Sequence, residues 1–362
     1  MILFIIIAQG IIFFAHWFVW QIAQRYFVLP NQIKIVFFVL SFSFLLATLL
    51  VAKYQVRVLD WFYTFAASWL GLIHFLFLAS LVLLLLVLIG KWIPILMTYR
   101  LVIGVMVYGI ALIFFLLALI NANQPIIREQ IITAQNLPST WQNKKMVWVS
   151  DVHLGSVWQS QTSEKIVRLI NDLQADIVIV GGDLFDGAGA NAENIAGPWK
   201  ALQAKQGKYF ITGNHEQFTT SQSLLETIRG LGFTILNNEK IDLDGVTIVG
   251  IDYQSSTNRD NYQKILNDLS LNKEAPKILW RHVPNFLDIS RQYNSLLQIY
   301  GHTHVGQLWP FNYITQLVYH GYDVGMHPDG KSLIYTSGGV GTWGPPLRMG
   351  NQPEIVLFRF QN

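Results

Sequence analysis

The sequence predicts an N-terminal α-helical transmembrane domain over residues 1–120, joined to an α/β domain over residues 121–362. Three observations lead there. Of 362 residues, 52% are hydrophobic and only 13% charged, against roughly 25% charged in an ordinary soluble domain, and the mean hydropathy is +0.36. Most of the charges fall after Asn121, which concentrates the apolar excess in the first third of the chain. From Met146 onward, short β-rich runs alternate with stretches of helical period, the pattern of packed α/β layers.

The apolar third resolves into spans. Residues 2–20 contain only Gln9 and His16 as polar members, and at about 1.5 Å per residue they cross a hydrocarbon core of about 30 Å. The run lacks the charged start and small-residue cleavage site of a signal peptide, so it reads as a retained helix. Residues 35–52 form a second span and 101–120 the last. Residues 61–89 are uncharged and longer than one untilted pass, with Gly71 as a potential break. Four spans is the reading, with five as the alternative. His16 and His74 read as packed or interfacial histidines rather than functional intramembrane groups.

With four spans, Arg25, Lys34, Lys91 and Arg100 flank the first and third loops, against Lys53, Arg57 and Arg128 on the other side. Positive-inside counting places those loops in the cytoplasm and the C-terminal domain outside it. Including Lys144 and Lys145 reverses the balance. The formal charge of +3 and the lack of a basic run interleaved with aromatics exclude nucleic acid as an expected partner. Cysteine is absent, which rules out disulfides, thiolate metal sites and a cysteine nucleophile, so a metal site must use His, Asp, Glu or Asn.

Composition shifts abruptly at 121–145, where Pro125, Pro138 and many Asn and Gln mark the domain boundary. Beyond it, 177–180, 209–212, 247–251, 277–280, 297–300, 333–336 and 354–360 read as strands, with 126–133 as a further candidate. Residues 164–173 and 222–231 read as amphipathic helices.

Chemistry gathers at strand ends. Asp151 and His153 follow the apolar run 146–149, Asp183 follows 176–180 through Gly181 and Gly182, and Asn214, His215 and Glu216 follow 209–212. His282 follows 277–280, and His302 and His304 follow 297–300. Each pair or single residue alone is as compatible with a turn, a cap or a buried histidine as with a ligand. Together, five strand-end clusters supply oxygen and nitrogen ligands without sulfur, a set suited to manganese, iron or zinc, and a carboxylate can bridge two cations.

The segments SDVHLG, GGDLFDG, GNHE, RHVP and GHTHVGQ, in this order, resemble the calcineurin-like metallophosphoesterases, over residues 126–362. The stretch YTSGGVGTWGPPLRMGNQPEI at 335–355 is similar to the tail of the membrane-associated YkuE/YaeI-like subgroup. Val305 departs from that subgroup, which often has a second glycine there. The resemblance implies a four-layer α/β/β/α sandwich. It further implies that Asp151, His153, Asp183 and His304 hold one metal ion and that Asp183, Asn214, His282 and His302 hold a second. A hydroxide activated by the two metals would then attack phosphorus, with His215 protonating the leaving oxygen and Asp186 orienting His215. Arg281 and Arg348 are candidate phosphate forks. Trp309, Phe311 and Trp343 are candidate substrate contacts, with core packing or the membrane interface as the commoner roles for such side chains.

The resulting expectation is a membrane-anchored phosphoesterase acting on a phosphodiester, phosphomonoester or pyrophosphate bond, with a lipid-linked substrate among the candidates. The lipid bilayer is its expected partner, and no obligate protein partner is expected. The competing class is a non-catalytic membrane transport, sensing or scaffold protein with a metal-binding domain.

Overall fold

The computed structural model describes residues 2–54, 56–134, 137–187, 192–218, 222–272 and 274–361. It divides into two compact units, Met1–Asn121 with Gly344–Met349, and Ala122–Trp343 with Gly350–Asn362.

Among the described residues of the helical unit, four segments are long and apolar enough to cross a membrane: Ile5–Tyr26, Asn31–Lys53, Arg57–Gly90 and Arg100–Ala122. Arg57–Gly90 runs unbroken through Gly71, so the two-pass reading of this stretch does not describe the helix. The second segment is broken instead, between Asn31–Leu40 and Ser43–Lys53. Gln9 Nε2 donates to the Ser41 carbonyl at that break, at 2.9 Å, which satisfies a main-chain group that lipid could not. His16 is buried; its Nδ1 donates to the Ile12 carbonyl at 2.8 Å, and its Nε2 accepts from Trp69 Nε1 at 2.9 Å. Both ring nitrogens are used in packing.

Residues Gly344–Met349 belong with these helices, a placement that the composition break at Asn121 gave no reason to expect. The Arg348 N–H donates to the Ala118 carbonyl at 3.0 Å, and Asn121 Nδ2 donates to the Arg348 carbonyl at 3.1 Å. Leu347 and Arg348 are fully buried.

The second unit contains twelve strands: β1 (Ile126–Thr133), β2 (Lys145–Val149), β3 (Ile177–Val180), β4 (Lys208–Phe210), β5 (Thr234–Ile235), β6 (Glu239–Leu243), β7 (Val246–Ile251), β8 (Lys277–Arg281), β9 (Leu297–Tyr300), β10 (Gly325–Asp329), β11 (Ser332–Thr336) and β12 (Glu354–Gln361). They form two six-stranded sheets, ordered β1-β12-β2-β3-β4-β5 and β10-β11-β9-β8-β7-β6. The runs β2 to β5 and β7 to β9 are parallel, so their C-terminal ends fall along one edge of each sheet.

Side-chain alternation builds the layers. Met146 and Trp148 of β2 and Ile177 and Ile179 of β3 meet Ile248, Ile278, Trp280 and Ile299 of the second sheet in one core. Val147, Val149, Val178 and Val180 point the other way, against Ile166, Val167 and Ile170 of helix Ser160–Asp172. On the far side, Val249, Ile251 and Leu279 pack on Tyr262 and Leu266 of helix Arg259–Asp268. The result is the four-layer α/β/β/α sandwich. Strands buried on both faces read as continuous apolar runs, as β3 (IVIV) does, with β9 interrupted only by the buried Gln298. The edge strands β6, with sequence EKIDL, and β10, with a proline, lack that signal and escape sequence reading.

Gly181 sits where β3 ends, and a Cβ there would press into the ring of Trp148, which is fully buried. Gly181→Ala is expected to destabilise the protein by about 1–3 kcal/mol through overpacking. Thermal unfolding of the purified full chain would show this, and an unchanged midpoint would mean that the Trp148 ring yields freely.

Candidate metal centre

Every predicted cluster lies just past the C-terminal end of a parallel strand: Asp151 and His153 after β2, Asp183 after β3, Asn214 and His215 after β4, His282 after β8, and His302 and His304 after β9. Main-chain hydrogen bonds lace these loops together. Asp151 N–H donates to the Gly182 carbonyl at 3.0 Å, His153 N–H to the Asp183 carbonyl at 3.0 Å, and Gly301 N–H to the His282 carbonyl at 2.9 Å. Asp151, His153, Asp183, His302 and His304 all take left-handed backbone angles, with φ between 47° and 71°. Such angles cost non-glycine residues about 1–3 kcal/mol each and persist only where the surroundings impose them. Gly213 completes the packing, because a Cβ there would lie 2.6 Å from Asp183 N and 2.8 Å from its Cγ.

The side chains converge in three overlapping groups: Asp151, His153 and His304; Asp183, His282 and His302; and His153, Asp186 and His215. In each group the ligand-type atoms lie within 4.8 Å of one another. His282 Nε2 stands 3.2 Å from Asp183 Oδ2 and 3.8 Å from Asp151 Oδ1, and His153 Nε2 stands 3.8 Å from the same Asp183 oxygen. His304 Nε2 is 3.6 Å from Asp151 Oδ1 and 3.0 Å from His153 Nε2. Atoms that each lie about 2.0–2.2 Å from a shared cation have spacings of this order. Asp183 therefore faces both groups, and Asp151 reaches toward His282 as well as His304.

Several atoms are oriented as ligands rather than as hydrogen-bonding partners. His282 Nδ1 donates to the Gly181 carbonyl at 2.8 Å, which fixes the tautomer and turns Nε2 into the site. That Nε2 and Asn214 Oδ1 are buried without a hydrogen-bond partner, and orphaned buried polar atoms call for an explanation. A cation supplies one, and the residues present fit it: nitrogen and oxygen donors without sulfur suit manganese, iron or zinc. Ser150 Oγ donates to Asp151 Oδ2 at 2.6 Å, and the His302 N–H donates to both Asp151 oxygens at 3.1 Å, orienting that carboxylate.

Burial opposes charge here, yet the groups hold one another ionised. Burial alone would raise the Asp183 pKa, but the neighbouring His282, His153 and His215 hold it below the usual range. Burial likewise pulls His282 down, but Asp183 and Asp151 outweigh it and push it up to about 10. His302, buried and beside His282, is lowered to about 4.

The structure reassigns several supporting residues. His215 Nδ1 donates to the Asp186 main-chain carbonyl at 3.0 Å, while the Asp186 carboxylate stands 3.5 Å from both His215 Nδ1 and His153 Nδ1. The Asp186 carbonyl is the nearer partner of the His215 ring, and the Asp186 carboxylate stands within ion-pair distance of the same nitrogen. Glu216 stands in the first turn of helix Asn214–Phe218 and is buried rather than solvated: its carboxylate accepts the N–H groups of Asp183 and Gly213 at 2.9 Å and of Phe185 at 3.2 Å. Burial and the Asp183 charge raise its pKa to about 7, against these three bonds.

Arg281 is fully buried, with its guanidinium on Asn285 and the rings of Tyr262 and Tyr300. Strand alternation sends it opposite to Trp280, so it packs instead of gripping phosphate. Arg348 is likewise fully buried and belongs to the helical unit. Trp309, Phe311 and Trp343 are exposed, not core. Tyr253, which had no sequence signal, places its ring 6.2 Å from those of His282 and His302.

Residues 144–306, which carry all of these clusters, match the profile of the calcineurin-like phosphoesterases. The chain is 31% identical over 219 residues to an "uncharacterized metallophosphoesterase" of Helicobacter pylori, covering 59% of this chain and 59% of that one. It is 29% identical over 265 residues to the bovine "transmembrane protein with metallophosphoesterase domain", covering 67% of this chain and 59% of that one. It thus spans under two thirds of the length of both of these relatives. A metallophosphoesterase of Aquifex aeolicus is 30% identical over 239 residues, which make up 64% of this chain and 90% of that protein. That identity across nearly a whole relative, together with the profile match over every ligand cluster, places this chain in the calcineurin-like metallophosphoesterase family.

Proposed function

We propose that the protein is a membrane-anchored metallophosphoesterase that hydrolyses a phosphodiester, phosphomonoester or pyrophosphate bond, on a lipid-linked substrate. The observation that carries the reading is the convergence of histidine and carboxylate atoms around Asp183, with Asn214 Oδ1 and His282 Nε2 buried and orphaned beside it. Asp151, His153, Asp183 and His304 would hold one divalent or transition metal ion, manganese, iron or zinc, and Asp183, Asn214, His282 and His302 a second. When bound, such a pair lowers the pKa of water and neutralises phosphate charge.

The chain's own residues supply the rest. Asp183 and His282 are essentially inaccessible, whereas the His215 side chain is 14% exposed. His215 is assigned the role of meeting substrate, its ring turned by the Asp186 carbonyl so that Nε2 delivers a proton to the leaving oxygen. The buried Glu216 carboxylate keeps the Asp183 and Asn214 loops in register. The four apolar helices support attachment to the bilayer, which brings the site to lipid-borne phosphates.

Purified full-length protein with manganese should hydrolyse a chromogenic phosphodiester. Asp183→Ala should lose both activity and bound metal, whereas His215→Ala should keep its metal and lose about 10²–10⁴-fold in rate. Equal inertness of all three proteins across several metals, with metal still bound, would leave a non-catalytic metal-binding domain as the reading. Asp151→Asn should impair metal loading first, with activity partly restored by added manganese. Unchanged metal content and activity in this variant would remove Asp151 from the ligand set.

Sidedness has its own test in a chain without cysteine. With the C-terminal unit outside the cytoplasm, as positive-inside counting favours, Lys331→Cys should react with a membrane-impermeant maleimide in intact cells. Labelling only after lysis would put that unit in the cytoplasm.

A further inference from the structure

Helix Asn312–Val318 turns its apolar side outward. Tyr313, Ile314, Leu317 and Val318 are exposed, Leu317 by 76%, and their i, i+1, i+4, i+5 spacing puts them on one face. The opposite face is polar and faces the protein: Thr315 Oγ1 donates to Asp323 Oδ2 at 2.9 Å, and Asp323 is buried. A helix settling in water would adopt the reverse orientation, so this face has a partner outside the unit.

Chain continuity identifies the partner. Trp343, 56% exposed, is the last residue before Gly344–Met349, the segment that packs with the apolar helices; Gly350 is the first residue after it. Trp343 is fixed by Gln307, whose Oε1 accepts its N–H at 2.9 Å and whose Nε2 donates to its carbonyl at 3.1 Å. Trp309, also exposed, has its Cβ only 3.7 Å from where a Cβ on Gly350 would lie. Both ends of a segment seated among membrane-type helices are therefore flanked by exposed tryptophans, and the outward apolar helix begins three residues after Trp309. Tryptophan and tyrosine edging an aliphatic face is the composition of a surface at headgroup depth.

We propose that the Leu317 face and the two tryptophans form a second membrane contact, inserting into the interfacial layer of the bilayer that holds the helices. The Trp343 ring lies 6.4 Å from that of His215, so this contact holds the catalytic histidine at the level of lipid phosphates. The proposal rests on the membrane-anchored reading and extends it to a surface of the soluble unit.

The cysteine-free chain permits a direct test. Single variants Leu317→Cys, Lys264→Cys and Leu81→Cys of the full chain, each carrying an environment-sensitive fluorophore, are incorporated in phosphatidylcholine nanodiscs with and without a lipid bearing a nitroxide near the headgroup. Lys264 is the water-exposed control, with its side chain 75% exposed, and Leu81, in helix Arg57–Gly90, reports the anchor. The expected result is blue-shifted emission at 317, quenched at least twofold more than at 264. Quenching at 81 with 317 behaving like 264 would overturn the contact and leave the anchor standing. Blue-shifted emission at 317 without lipid quenching would overturn it in favour of a protein partner, including a second copy. No quenching at 81 or 317 would overturn anchor and contact together.

Discussion

The candidate site depends on one buried carboxylate that binds main-chain N–H groups and is not among the converging ligand-type atoms. Glu216 gathers the N–H groups of Gly213, Asp183 and Phe185, and those three groups belong to the loops after β3 and β4. A carboxylate so buried is costly unless its oxygens are satisfied, and three backbone donors satisfy it. In return the two loops cannot separate, which holds the Asp183 carboxylate where the His215 N–H reaches its Oδ1 at 2.9 Å while Oδ2 faces His282. Five of the ligand-type residues take left-handed angles, and the lattice of main-chain hydrogen bonds between their loops holds them in that strained form.

Much of this was legible because it rests on local pattern. A strand buried on both faces leaves an apolar run, and a residue type able to bind metal at its end is visible at once; β3 with Asp183 and β9 with His302 and His304 were found that way. Order along the chain then sufficed to group the clusters, because parallel strands deliver their C-terminal ends to one edge. The edge strands β6 and β10 and the outward helix Asn312–Val318 were not legible. Their residues are polar at an edge, or apolar on a face that the soluble core does not use, so periodicity carries no sign of their place.

Supporting residues were the least legible part of the site, for a reason that Arg281 and Glu216 share. Their partners are main-chain atoms or rings that come near only in the folded unit: Tyr262 and Tyr300 for Arg281, three N–H groups for Glu216. Charge alone suggested a phosphate fork for the first and gave no sign of burial for the second. In both, burial decides otherwise, because a buried charge must be answered by whatever surrounds it. Asp186 makes the same point at finer scale, since its carbonyl, at 3.0 Å, approaches His215 more closely than its carboxylate, at 3.5 Å.

The two halves of the chain obey one rule with opposite solvents. In the helical unit, Gln9 Nε2 and both ring nitrogens of His16 are spent on main-chain and indole groups, because lipid offers them nothing. In the soluble unit the ligand loops keep polar atoms unanswered beside Asp183, where a cation is the fitting partner. Helix Asn312–Val318 lies between these regimes. Its inward face is satisfied by Asp323 and its outward face is apolar, an arrangement that is unfavourable in water and favourable at the edge of a bilayer. In the proposed reading the substrate phosphates lie at that depth, and Trp343, its ring 6.4 Å from that of His215, joins the apolar surface to the proposed proton donor.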